Sequence, residues 1–454
     1  MRRSLASDDA GFTLIEVVVA MIVFAIISTG FLFVLTSSLA TTRDTRARVV
    51  AANLASQQID LIRAAGDVFA VESDDFTTTL NGDTFRVVVR WNWHTSTGAS
   101  ASCEAGAAVG ALEYKQVTVD VSWETARNGT QHVMSDTLFT PTTKINDQSL
   151  GTVLVGVTDS AGEPVSGATV SLSPAGVAAV TTDSEGCAYL LKVPVNDYTV
   201  SVSKSGYIGV NQLTAPTATV SVVAGSSSRV SFSYDAAATY NITYAGNYTG
   251  SKVLPTNLTT TFLSTYGTSA VTDTAATNPK SITRFPFSSG YNILAGGFAD
   301  TPDVAATSCL APDPGHWAAG TDAAGASRLA GERPGAVGVA AGASDVASVP
   351  MGVVQVTGLP SSAKKYVTAV YVGGGAGDPG CTLTTAPKYT FGELAKTTTS
   401  TTIALPYGTY KLYYGTSSGA TTTQLTSGIT AAASAIVSGT GTNTVVVLDP
   451  RVAG

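Results

Sequence analysis

Few residues of this sequence have types and spacings that could do chemistry. The three histidines, His94, His132 and His316, stand far apart, and none belongs to an H-E-x-x-H pair. No G-x-S-x-G elbow, P-loop or dinucleotide fingerprint occurs in a strand–helix setting. The glycine runs at Gly296-Gly297 and Gly373–Gly375 lie in β-rich sequence and read as turns. Carboxylate pairs for glycoside chemistry need only meet in space, so spacing alone does not test for them. With no catalytic motif and a Thr-rich, β-favouring composition, neither catalysis nor a cofactor or metal is expected. The four cysteines, Cys103, Cys187, Cys309 and Cys381, show no C-x-x-C spacing and suit disulfides in an oxidising compartment. Cys309–Cys381 is the favoured pair because both fall in the last region; the pairing of Cys103 with Cys187 stays open. The carboxylate in the most unusual place is Glu16. It stands at the edge of an apolar run, where desolvating a charge is costly without a specific partner.

Val17 through Ala40 contains no charged residue. As a helix rising ~1.5 Å per residue it is about 36 Å long, enough to cross a bilayer's hydrocarbon core. No small-x-small cleavage site follows the run, unlike a secretory signal. The plausible processing site lies before it, at Gly11. Charge does not set the topology: Arg2 and Arg3 are offset by Asp8 and Asp9, while Arg43, Arg46 and Arg48 follow the run.

Gly11-Phe12-Thr13-Leu14-Ile15-Glu16 and the apolar run after it resemble the type IV prepilin family. The resemblance covers under a tenth of the chain. It implies cleavage between Gly11 and Phe12 by a prepilin peptidase, and N-methylation of the new Phe12 amine. It further implies that Glu16 pairs with the Phe12 amine of a neighbouring pilin subunit in a filament core. Two charges that are each costly in an apolar bundle become tolerable when paired, and the pair fixes axial register. The implied localisation is single-pass in the cytoplasmic (inner) membrane before assembly, then an extracellular pilus or the cell surface. The bland alternative is a signal anchor with an incidental Glu.

The helix is expected to continue past the membrane. Ala47, Val50, Leu54, Leu61 and Ile62 recur at near-helical spacing, and Gly66-Asp67 is a stop signal. In pilins this second half packs on a headgroup sheet. Gly30, after Ser28-Thr29, marks either local melting or tight helix packing. A hairpin follows, with Asn81-Gly82 between Phe76–Leu80 and a strand alternating Phe85, Val87, Val89, Trp91 and Trp93 on one face. Val117, Val119, Val121 and Trp123 repeat the pattern, and Asn128-Gly129 turns toward Val133–Phe139. The tryptophans read as core, with a carbohydrate platform as the rival reading. Residues 95–112 form a Gly/Ala/Ser loop.

From Gly151 the grammar changes to seven short strands with regular turns, a β-sandwich pattern. The turn at Asp159–Gly162, Val193-Pro194, and Tyr198-Thr199-Val200 resemble carboxypeptidase regulatory-like and collagen-adhesin B-type modules, which are transthyretin-like sandwiches. Some such modules cross-link a first-strand Lys to a last-strand Asn, but neither residue is present here. Asp183–Gly186 reads as a turn or as the seed of a cation site. Later strand-like runs fall at 240–244, 259–263, 281–287, 353–356, 366–372, 402–405, 410–414 and 444–448. Leu405-Pro406…Tyr410 echoes Val193-Pro194…Tyr198. Residues 300–348, rich in Gly, Ala and Pro, read as a functional or mobile loop outside any core.

The 454 residues carry a net charge of −7 with only 13% charged residues and 45 glycines. Nucleic acid is not an expected partner. The expected class is α+β: one long helix, an antiparallel β headgroup, and one or more immunoglobulin- or transthyretin-like sandwiches. The expected domains are a leader (1–11), a transmembrane and assembly helix (12–66), a pilin-like headgroup (67–148), a carboxypeptidase regulatory-like sandwich (149–236) and a β-rich region (237–454) with a second sandwich as one reading. A minor, tip-located pilin-like subunit displaying its head to an extracellular ligand is the expected role. A type II secretion pseudopilin and an unassembled membrane-anchored adhesin are the rivals.

Overall fold

A computed structural model describes residues 13–101, 103, 110–125, 129–141, 143–272, 274, 276–300, 308–359, 366–394 and 400–454. One α-helix, α1 (Leu14–Ala65, 52 residues), opens the described chain and ends where Gly66 takes the left-handed conformation at φ 72°. Among the described residues, the regular elements after it are strands and three short 3₁₀ turns. By contacts the chain forms two compact units, and the cut runs through the strands of the sandwich. One unit takes 1–156, 169–200 and 218–231; the other takes 157–168, 201–217 and 232–454.

The first unit holds α1 and an antiparallel sheet. Its strands are β1 (Asp74–Leu80), β2 (Asp83–Thr95), β3 (Ser100–Ala101), β4 (Leu112–Thr125) and β5 (Gly129–Phe139), in the order β1-β2-β4-β5 with β3 on β2. The β1–β2 hairpin closes through Asn81 (φ 53°) and Gly82 (φ 84°), with Leu80 opposite Asp83. Both positive φ values are those of a type I′ turn, which Asn-Gly adopts at little cost. Asn128 of the second expected turn lies outside the described residues.

Alternation along β2 buries Phe85, Val87, Val89, Trp91 and Trp93 on one face. In register on β4 lie Trp123 opposite Phe85, Val121 opposite Val87, Val119 opposite Val89 and Val117 opposite Trp91. The tryptophans at 91, 93 and 123 are therefore core and offer no surface platform. The expected loop at 95–112 is not wholly irregular, because Ser100–Ala101 pairs back on β2.

Helix α1 lies against β2, β4 and β5. The residues it buries are Ala47, Ala51, Leu54, Ala55 and Ile59, a stripe at spacings of three and four. Leu61, expected in that stripe, is 56% exposed. It sits two positions after Ile59, about 200° around the helix, so both cannot face the sheet. Alanines at the closest approach let the helix backbone come near the strands. Arg63 donates to Thr137 (2.7 Å), and Arg43 pairs with Asp83 at the hairpin tip.

The sandwich has eight strands where seven were expected: β6 (Gly151–Thr158), β7 (Thr169–Ser173), β8 (Val180–Thr181), β9 (Cys187–Val193), β10 (Asp197–Ser203), β11 (Tyr207–Gly209), β12 (Thr217–Ser221) and β13 (Ser227–Ala236). They form two sheets, β12-β10-β7-β8 and β11-β13-β6-β9. Two of the eight, β8 and β11, have two and three residues, too few to show a period in sequence. Tyr198 is buried and donates to the Pro194 carbonyl at 3.0 Å, which closes the Val193-Pro194 corner.

In the second unit, all eight expected strand runs of the C-terminal region fall on strands. These belong to several small sheets, among them 280–284/238–244/344–349 with a parallel pair between the last two, and a six-stranded sheet led by 366–371, 408–415 and 445–448. One apolar cluster runs through them, with Tyr240, Phe262 and Tyr291 packed edge to face at centroid separations of 5.5–6.0 Å. The Leu405-Pro406 echo is local: Leu405 ends one strand, Gly408–Gly415 is the next, and Tyr410 is buried as Tyr198 is.

Residues 308–348 correct the expectation of a loop outside the core. Trp317 is fully buried and donates to the Ala311 carbonyl at 2.9 Å. Asp313 is fully buried, with Arg333 and His316 on its carboxylate. Asp322 accepts from the amides of Ala324 and Ala326 and from Arg328. Arg451 donates to Asp449 and to the carbonyls of Ala318 and Ala376, both at 2.9 Å. One tryptophan and a set of charged anchors thus pack the segment without any hydrophobic period.

Candidate functional site

Glu16 lies in the first turn of α1, exposed, and its amide donates to the Thr13 carbonyl at 3.0 Å. It shares a helix face with Val19, Ala20, Val23 and Ile27, at offsets of three, four, seven and eleven. Gly11 and Phe12 lie outside the described residues. The apolar half of α1 is bare: Leu14 is 84% exposed, Phe24 72% and Phe33 69%. An apolar surface of this extent on a soluble monomer would be a liability, so it requires lipid or other apolar helices around it. Among the described residues α1 is the one helix long and apolar enough to cross a membrane, by length and composition. The helix runs unbroken through Gly30, where an added Cβ would meet nothing within 4 Å. Thr29 just before it returns its hydroxyl to the Ala25 carbonyl at 2.8 Å, which satisfies a polar side chain inside the apolar half.

The prokaryotic N-terminal methylation motif matches at residues 7–32. The chain carries a type IV prepilin-like methylation motif. Residues 152–235 match the carboxypeptidase regulatory-like domain. No curated protein matches the sequence. Among solved structures it is similar to the TIE protein of Bacillus anthracis, at 13% identity over 77% of this chain and 70% of that one, with a TM-score of 0.19. It is also similar to a streptococcal ancillary pilin (11% identity, 40% and 69% covered, TM-score 0.18). A third is BcpA, the major pilin subunit of Bacillus cereus (9% identity, 36% and 71% covered, TM-score 0.16). Scores this low leave the architecture to be read from the chain itself.

The cysteines are joined as Cys103–Cys187 and Cys309–Cys381. Backbone bonds flank the second pair, Leu310 N to Gly380 O at 2.9 Å and Thr382 N to Ser308 O at 2.6 Å. Asp183 accepts from the amides of Glu185 (3.0 Å) and Cys187 (2.8 Å), so its carboxylate closes a turn. No cluster of three metal-ligating side chains occurs among the described residues.

Sequence reasoning missed Lys115. It faces the core of the head sheet opposite Trp93 and is fully buried. Its ammonium lies 3.6 Å from the centre of the Trp91 ring and donates to the Val71 carbonyl at 3.1 Å. Burial pulls its pKa down from 10.5 to about 8, against the opposing pull of Asp183, Glu185, Asp67 and Glu72. The available signal was parity: Lys115 shares the inward register of Val117, Val119 and Val121.

Proposed function

We propose that this chain is a minor type IV pilin-like subunit, cut between Gly11 and Phe12 by a prepilin peptidase, methylated on Phe12, and placed at a filament tip. The observation that carries this reading is a single helix with two different halves. One half is bare and apolar, entered by a lone carboxylate; the other is seated by small residues on a β head. A helix of this kind passes from membrane to filament by exchanging lipid for neighbouring helices, while its head stays in water. Glu16 would pair with the Phe12 amine of a neighbour and set the register. The domain organisation proposed with it is a leader 1–11, helix 12–66, headgroup 67–148, sandwich 149–236 and β-rich region 237–454. A head of that size would clash if repeated at each axial step of a packed filament, which favours the tip. Its further domains would there be free to meet an extracellular ligand, and no catalysis is proposed for them.

The test is immunogold labelling of sheared filaments with antibody raised to residues 237–454. Label at one filament end supports the reading; label along the length refutes tip placement, and filaments without label refute assembly.

A further inference from the structure

Cys103 sits in the connector between β3 and β4 of the head, and Cys187 opens β9 of the sandwich, 84 residues later. The backbone around their bond fits closely. A Cβ added to Gly156 in β6 would lie 2.8 Å from the Cys103 carbonyl oxygen, so glycine alone permits this approach. Glu185 accepts from the Ser73 amide at 3.0 Å, and Ser227 donates to the Gly110 carbonyl at 3.0 Å. Phe69 and Trp93 of the head close a ring cluster with Tyr189 of β9, at centroid separations of 5.4–6.0 Å. Leu154 and Cys187 of the sandwich belong to the same apolar cluster as the head sheet. The buried Lys115 ammonium takes countercharge from both sides, Asp67 and Glu72 on the head and Asp183 and Glu185 on the sandwich turn.

We infer that the Cys103–Cys187 bond is a one-way latch that fixes the head and the adjoining sandwich strands as one rigid body once the chain reaches an oxidising compartment. This rests on the exported topology proposed above. The closing step is thiol–disulfide exchange: the two cysteine thiols pass two electrons and two protons to the disulfide of an oxidising protein. That protein leaves as a dithiol, and one S–S bond forms between Cys103 and Cys187. The latch is one-way because Cys103 and Cys187 are only 3% and 4% exposed, so a reductant reaches the sulfurs only when the seam opens. A head carried on a helix then transmits load through the seam without a hinge.

Hydrogen–deuterium exchange with mass spectrometry on the full chain in detergent micelles tests the latch. In the Cys103→Ser/Cys187→Ser variant, the amides of Ser73 and residues 181–187 are expected to exchange at least about tenfold faster, with β2 and β4 unchanged. Dithiothreitol should free the two thiols in denaturant and leave the bond intact without it. Unchanged seam exchange in the variant, or equally fast reduction with and without denaturant, overturns the inference. Should the double variant not fold, Glu185→Ala retains the bond while removing the Ser73 contact and one countercharge of Lys115. Protection of residues 181–187 kept within about twofold supports the latch, and a larger loss shows that the contact, not the bond, holds the seam.

Discussion

Replacing Lys115 with Met removes a charge that the head holds at a cost. The ammonium is fully buried, and its pKa stands at about 8 against the ordinary 10.5. At about 1.4 kcal/mol per unit, carrying the charge at pH 7 costs the fold roughly 3 kcal/mol relative to a neutral side chain of the same shape. Met has similar length, and its thioether can rest on the Trp91 ring where the ammonium lay. The Val71 carbonyl loses its donor, which costs about 1–3 kcal/mol. Lys115→Met should therefore be as stable as the native protein at pH 7, or more stable by up to about 2 kcal/mol. The pH dependence carries the sharper signature. The folded pKa lies below the unfolded one, so between pH 8 and 10.5 the unfolded chain binds more protons and stability rises with pH. That rise should be present in the native protein and missing in the variant. Urea unfolding of the full chain in micelles, followed by tryptophan fluorescence at pH 7, 8, 9 and 10, measures both. A variant less stable by more than about 2 kcal/mol at pH 7, or one with the native slope, would refute the reasoning.

Glu16→Ala should leave the protein in the membrane and processed, yet absent from sheared filaments on immunoblots; normal incorporation would sink the pairing scheme. Burial works against the Asp313 charge, but Arg333, the Gly315 amide and His316 more than offset it and hold the carboxyl below its ordinary 3.8. Such a group contributes stability above the unfolded pKa and loses it as pH falls through the folded one. Arg333→Ala should thus cost about 2 kcal/mol at pH 7, with the gap to the native protein closing below pH 3.8 in thermal melts. Breaking Cys309–Cys381, which spans 72 residues, should lower stability by about 4 kcal/mol in the loop-entropy picture. Non-reducing peptide maps should show those two cysteines linked to each other.

What the sequence showed plainly was whatever repeats on the period of its own element. The helix, the Asn81-Gly82 hairpin and the alternation from Phe85 to Trp93 were legible because each face is buried as a unit and each turn has a residue-specific conformation. Leu61 was misplaced because hydrophobicity alone outweighed phase, and the alanines at 51 and 55 that make the contact look neutral in sequence. Residues 308–348 hid their packing for another reason. Their anchors are Trp317 and the ion pairs Asp313–Arg333 and Asp322–Arg328, at separations of 20 and 6 residues, which leave no local period. Lys115 was passed over because a lysine at an inward position reads as a break in a pattern until its aromatic and acidic neighbours are seen together.

The central claim, that this chain enters filament machinery, is tested most directly at its amino terminus. Intact mass and N-terminal peptide spectra of protein recovered from membranes should show a mature chain beginning at Phe12 and bearing a methyl group on that amine. Gly11→Leu in parallel should retain the leader. A native protein that keeps Met1 and has an unmodified Phe12 within an uncut chain would contradict the account and leave only a membrane anchor.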